Sequence, residues 1–308
     1  MNEAPGAASF FQPRILLPFA LVTLIWGSTW FVIRDQLGSV PPGWSVVWRF
    51  VLAGGAMLAL AAMRGAPLKP TRAMMPVVAG MALFQFVANF QFVYAAEQHL
   101  TSGIVAVLFA FLVVPNALLG RVFVGQPVSR GFLAGSAVAL AGVALLLLHE
   151  YRVAPPGGKV LLGVALTLGG ILGASIANVI QASRTAREQP MLTMLAWAML
   201  LGAALDAAIS AALYGPPQFE PRWSYAAGIA YLALMGSVVT FPLYFGLVRA
   251  LGPGRAAYNS LLVPIVAMLL STLFEGYRWT TLAVAGSAVA LAGLVIALKA
   301  RSPSRKVR

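Results

Sequence analysis

Ten continuous apolar runs, each near twenty residues long, constrain this chain more than any other feature. A helix needs about 20 apolar residues, rising ~1.5 Å each, to cross the ~30 Å hydrocarbon core of a bilayer. The runs lie at 15–34, 43–63, 73–96, 102–122, 131–149, 159–182, 191–213, 224–247, 256–274 and 280–299. Turn-forming clusters separate them, among them Val40-Pro41-Pro42-Gly43, Ala154-Pro155-Pro156-Gly157-Gly158 and Gly252-Pro253-Gly254. The loops are too short for a separate soluble domain. The runs are unbroken rather than alternating, which excludes a β-barrel. Only 9% of the residues are charged, against about 25% in an average soluble domain, too few to cover a water-facing surface. Residues 1–13 lack the basic and apolar blocks of a cleavable signal, so the first run is read as a retained span. The expected fold is an all-α membrane protein with ten transmembrane helices.

The net charge of +13 would suit nucleic acid if the basic residues clustered beside aromatic ones on a polar face. They sit between the apolar runs instead, where a membrane protein marks its cytoplasmic loops. With the N-terminus inside, fifteen Lys and Arg fall in inside segments and five in outside ones, leaving Arg49 within a span. Both termini are therefore expected in the cytoplasm, in a multi-pass protein of the cytoplasmic (inner) membrane. No cysteine is present, which removes disulfides, thiol catalysis and cysteine-based metal sites. The two histidines, His99 and His149, stand at outer ends, with no His-Glu-x-x-His motif and no aspartate pair. A membrane-embedded enzyme would need such a constellation. No catalytic residue, metal site or cofactor is expected.

The octapeptide Gly-Ser-Ala-Val-Ala-Leu-Ala-Gly occurs at 135–142 and again at 286–293. Val114-Pro115 is answered by Val263-Pro264, Tyr94 by Tyr244, and Gly27-Ser28-Thr29 more weakly by Gly173-Ala174-Ser175. The chain thus divides into two five-helix repeats, 1–150 and 151–308, within one membrane domain. Five is odd, so equivalent helices must cross in opposite directions. Glu97-Gln98-His99 follows the third run whereas Arg249 follows the eighth, the charge reversal that inversion demands. Inverted repeats are characteristic of secondary transporters, which hold substrate near the midplane between the halves.

Several blocks carry a more specific signal: Ile25-Trp26-Gly27-Ser28-Thr29, Trp48-Arg49-Phe50, Tyr94 through Pro115, and Tyr244 through Glu275 with the glycine-rich last run. In these residues the chain resembles the drug/metabolite transporter superfamily, specifically its EamA-like ten-helix exporters, over nearly its whole length. Glu275 fits a glutamate common in that family after the ninth span. Gln126 stands at the matching place after the fourth, which weakens any inherited carboxylate pair. Within the family the chain is similar to the aromatic amino acid exporter branch. The resemblance implies alternating-access export of aromatic and other small neutral amino acids, with spans 1, 3, 4, 6, 8 and 9 around a central cavity. Broad drug and metabolite efflux is the alternative within the same class. A non-transporting assembly subunit is less compatible with the repeat.

Polar groups inside lipid are costly unless they face protein or water, so each is a candidate for the pathway. Gln85 and Asn89 share one face of the third span, with Phe92 on the same stripe and Gln91, Tyr94 and Gln98 on a second. Ser175 and Asn178 lie three residues apart in the sixth span, and Tyr258-Asn259-Ser260 opens the ninth. Trp26, Trp30, Tyr94 and Tyr244 are candidates for stacking on an aromatic substrate, whereas Trp44, Trp223 and Trp279 read as interfacial belt residues. Helix-to-helix hydrogen bonding is the bland alternative for every amide. Pro115 and Pro264 each remove a backbone donor, freeing the carbonyls of Phe111 and Ser260, as hinges or as fixed kinks. Arg49 is read as either snorkelling outward or serving a function within the span, and Asp206 as a possible proton-coupling group. The expected partners are lipid and a small amphipathic substrate, with the chain acting as a monomer or a homodimer.

Overall fold

The computed structural model describes residues 12–38, 40–124, 128–153, 159–251 and 259–300. Every regular element among them is helical. The helices are α1 (Pro13–Asp35), α2 (Pro42–Met63), α3 (Met75–Glu97), α4 (Ser102–Phe123), α5 (Arg130–Val153), α6 (Val160–Ala182), α7 (Met191–Tyr214), α8 (Trp223–Leu247), α9 (Asn259–Phe274) and α10 (Thr281–Lys299), with a short helix Arg184–Glu188 before α7. Seven of these, α1 to α4 and α6 to α8, are long and apolar enough to cross a membrane. The apolar stretches Arg130–Leu146, Leu262–Phe274 and Thr281–Ala297 are shorter.

Local chemistry sets the ends. Pro13, Pro42 and Pro76 stand in the first turns of α1, α2 and α3, where a missing N–H leaves no hydrogen bond unmade. Helix α7 stops at Gly215, whose φ of 78° strains any residue with a Cβ. The Ala154–Gly158 and Gly252–Gly254 turns and Gln126 lie outside the described residues. Large apolar side chains such as Leu161, Leu213, Ile265 and Leu273 point outward and are exposed, as a lipid-facing surface requires.

Three departures from regular α-helix were not foreseen. Helix α3 widens to a π-helix over Ala82–Asn89, α8 does so over Leu234–Val239, and α4 tightens to a 3-10 turn at Ala110–Leu112. In a π turn the bonds span one residue more than in an α turn, and such segments cluster at functional sites.

Helix α5 lies against α10, and α2 against α7, while α1 packs on α8 and α9, α6 on α3 and α4, and α4 on α9. The repeated octapeptides meet each other directly. A Cβ on Gly142 would sit 2.7 Å from Ala290 Cα, one on Gly293 2.6 Å from Ala139 Cα, and one on Gly135 2.7 Å from Ala297 Cα. Backbone therefore touches backbone, as small residues permit between membrane helices. Gly27 plays the same part between α1 and α9, where a Cβ would meet Val266 Cγ1 at 2.6 Å. Trp223 is exposed and Trp279 half-exposed, as an interfacial belt needs, but Trp44 is buried beside Trp48 and Tyr225. The belt reading of Trp44 is thus corrected: the start of α2 is covered by α8.

Candidate functional site

Helices α1, α3, α4, α6, α8 and α9 surround a cavity of about 150 Å³, and α2 adds one residue to its wall, Arg49. From α1 come Trp26, Thr29, Trp30 and Ile33; from α3, Gln85, Asn89, Phe90 and Val93; from α4, Ala106, Phe109, Ala110 and Leu112. Helix α6 gives Ala174 and Asn178, α8 gives Phe241, Tyr244 and Phe245, and α9 gives Asn259, Val263 and Pro264.

Much of the wall is aromatic. The Trp26 ring lies 4.9 Å from that of Tyr244 and 5.8 Å from that of Phe241, and Trp30 lies 5.0 Å from Phe109. The tilted and edge-on arrangements suit the ring quadrupoles. Two π segments support the polar groups at and behind the wall. The first brings Gln85 and Asn89 to the wall, both buried. The second offers Gly236 O to Trp26 Nε1 at 3.3 Å, and its Ser237 hydroxyl donates to Leu232 O at 3.0 Å. That bond turns the serine lone pairs toward Arg49, whose Nε and Nη2 reach Ser237 Oγ at 3.4 and 3.3 Å.

Arg49 is 2% exposed, so of its two readings outward snorkelling is the one ruled out. Its guanidinium carbon lies 4.4 Å from the Phe90 ring centre and 5.2 Å from that of Phe50, attractive cation–π geometry. A signal was present in Trp48-Arg49-Phe50, where the charge sits in an apolar run with no acidic residue one turn away.

The other candidates divide. Trp26, Gln85, Asn89, Asn178, Tyr244 and Asn259 reach the cavity wall. Asn178 Nδ2 also donates to Asn116 Oδ1 at 3.4 Å, and Asn259 Nδ2 donates to Thr23 Oγ1 at 2.8 Å, tying α9 to α1. Tyr94 is fully buried outside the wall, its hydroxyl directed to Gln36 Oε1 at 3.4 Å. Ser175 is also buried outside the wall, and its hydroxyl has no partner. Tyr258 lies outside the described residues. Phe92 turns away from the stripe of Gln85 and Asn89 and is 40% exposed, because the π segment shifts the helical phase. Pro264 lies within α9 on the wall, whereas Pro115 is off the wall and follows the 3-10 turn of α4. Asp206 is buried away from the cavity, accepting a bond from Gln91 Nε2 at 2.9 Å. Glu275 accepts from Ser271 Oγ at 2.7 Å and from the Ser102 N–H at 3.3 Å, joining the end of α9 to the start of α4.

Two charged groups outside the spans have shifted titration. His99, after α3, is lowered from its ordinary value by burial and then by Lys159. Arg222 is raised by its bonds to Asp35 and Glu220, at 3.1 and 3.0 Å, which latch the start of α8 to the end of α1. No group of three or more His, Asp or Glu among the described residues is placed to hold a metal ion.

A model of the EamA-like transporter family matches the chain twice, over residues 14–148 and 160–299. An uncharacterized inner membrane transporter of Escherichia coli, YedA, is 31% identical over 295 residues, covering 91% of this chain and 92% of its own length. A probable amino-acid metabolite efflux pump of Escherichia coli is 25% identical over 288 residues, covering 90% and 92%. A probable terminal-alkyne amino-acid exporter of Streptantibioticus cattleyicolor is 25% identical over 281 residues, covering 90% of each. A crystal structure of a protein 20% identical in sequence superposes with a TM-score of 0.65, over 93% of this chain and 98% of that one. At that identity the likeness concerns fold alone.

Proposed function

The chain belongs to the EamA-like transporter family, and on that premise we propose that it exports metabolites of amino-acid size across the inner membrane by alternating access. The observation that carries this reading is the cavity surrounded by α1, α3, α4, α6, α8 and α9, whose wall combines aromatic rings with amides and Arg49. Such a wall suits a small amphipathic molecule. Its volume of about 150 Å³ is below the roughly 300–1,000 Å³ of drug-sized sites, which favours amino acids over broad drug efflux. The aromatic wall favours substrates with aromatic or other apolar side chains. The names of two relatives, an efflux pump and an exporter of amino acids, support the direction.

The architecture that goes with this function is ten spans in two inverted repeats, with both termini cytoplasmic. Exchange of the halves turns the α1–α9 contact into α6–α4 and α1–α8 into α6–α3, and returns α5–α10 and α2–α7 to themselves. The family model matching each half separately supports the same division. The π segments ending at Asn89 and Val239 stand at corresponding places, as Tyr94 and Tyr244 do. The test is counterflow in proteoliposomes holding the purified protein. Vesicles loaded with unlabelled L-phenylalanine, L-threonine or L-methionine should accumulate the labelled compound, and protein-free vesicles should not. Absence of counterflow for every amino acid tried would overturn the reading.

A further inference from the structure

Arg49 is the one charged residue in the cavity wall among the described residues. No carboxylate lies within ion-pair distance of it among the described residues, and Glu97, whose charge reaches it, is not part of the wall. Its hydrogen bonds to Ser237 are long for a charged donor, which ordinarily sits ~2.7–2.9 Å from its acceptor. Its Nη1 has no hydrogen-bond partner among the described residues. The Tyr94 hydroxyl donates to Gln36 at 3.4 Å and turns its lone pairs to the guanidinium beside it, a neutral partner that brings no balancing charge.

A purely structural role for this residue, bolting α2 to α8, would be expected to bring short bonds and a nearby carboxylate. A buried cation with neither is expensive to hold, and cation–π contact offsets only part of that cost. An anion bound in the cavity would remove it. A guanidinium presents paired donors in a fork that matches a carboxylate.

Among the described residues the wall holds no Asp or Glu to meet an ammonium. Gln85 and Asn178 are neutral, able to meet a polar group without requiring a positive one.

We infer that Arg49 anchors the carboxylate of the transported molecule, so that the cavity takes small carboxylates bearing an apolar or aromatic group and does not require their ammonium. The inference rests on the proposed transport through this cavity and narrows its substrate class. Amino acids belong to that class because of their carboxylate. Amines of the same shape are excluded, because they bring a second positive charge beside Arg49.

The test uses three probes of nearly one shape: L-phenylalanine, 3-phenylpropionate without the amine, and phenylethylamine without the carboxylate. Equilibrium binding to the full-length protein in detergent and counterflow in proteoliposomes are measured separately. The propionate should bind within about threefold of phenylalanine, and the amine ~10- to 100-fold more weakly, the range expected for losing hydrogen bonds to a charged group. Arg49→Gln should bring the three affinities together by weakening the two carboxylates, and Arg49→Lys should keep part of the preference. A merely structural Arg49 would alter all three ligands alike. The inference is overturned if phenylethylamine binds as tightly as phenylalanine, if the preference survives in Arg49→Gln, or if none of the three binds. Counterflow without carboxylate preference would sink the anchor and leave the transport reading standing. Arg49-dependent binding without counterflow would do the reverse.

Discussion

Replacing Gly142 with alanine should loosen the α5–α10 pair more than any rearrangement of side chains can absorb. The new methyl would stand 2.7 Å from both Ala290 Cα and Gly286 O, and ordinary contact begins at 3.4 Å. The helices must therefore part by at least 0.7 Å. Both neighbours are backbone, so no rotamer change relieves the clash. Overpacking of this kind costs about 1–3 kcal/mol, and the upper half applies where nothing flexible yields. Gly293→Ala does the same from the other helix, with Gly135 O at 2.7 Å. The double variant should lose less than the two single losses together, because helices already parted by one methyl accept the second. Gly55→Ala is the control: nothing lies within 4 Å of its Cβ position, and alanine is favoured over glycine in a helix by up to ~1 kcal/mol. Thermal unfolding of detergent-purified protein reads all four. A Tm for Gly142→Ala equal to that of the native protein would refute the close-packing argument.

Gln85→Leu should reduce counterflow ~10-fold or more while membrane abundance stays intact, since it deletes a polar group from the cavity wall; normal flux would make that amide a packing group. Reporter fusions should place both termini and the loops at 64–72 and 184–190 in the cytoplasm, and an external 64–72 loop would reverse the topology. Pro115→Ala and Pro264→Ala should shift the access of cavity probes in opposite directions, as matched hinges require. Unchanged labelling and transport rate in both would make the prolines static kinks.

Much of the fold was legible because lipid imposes a one-dimensional rule: a run of apolar residues of the right length. The glycines of 135–142 and 286–293 marked their own contact, since close approach of two helices needs small side chains on both. What could not be read is direction. Arg49 turns inward because Phe90 and Ser237, both remote in sequence, receive it. Tyr94 and Tyr244 match in sequence pattern, yet Tyr94 meets Gln36 off the wall while the Tyr244 ring lies tilted against Trp26 within it. The π segments carry no signal in Ala82–Asn89, which has neither proline nor glycine; tertiary contacts decide them. That hidden change of phase is why Phe92 was placed on the wrong stripe.

The central claim is that the cavity is the pathway, open by turns to each side of the membrane. Ala174 lies in its wall and is 4% exposed. The chain has no native cysteine, so Ala174→Cys creates a single reporter there. A membrane-impermeant maleimide should label it from outside in intact cells and from the cytoplasmic face in inside-out vesicles, with L-phenylalanine slowing both reactions. Labelling from one face only, or from neither, would contradict the account.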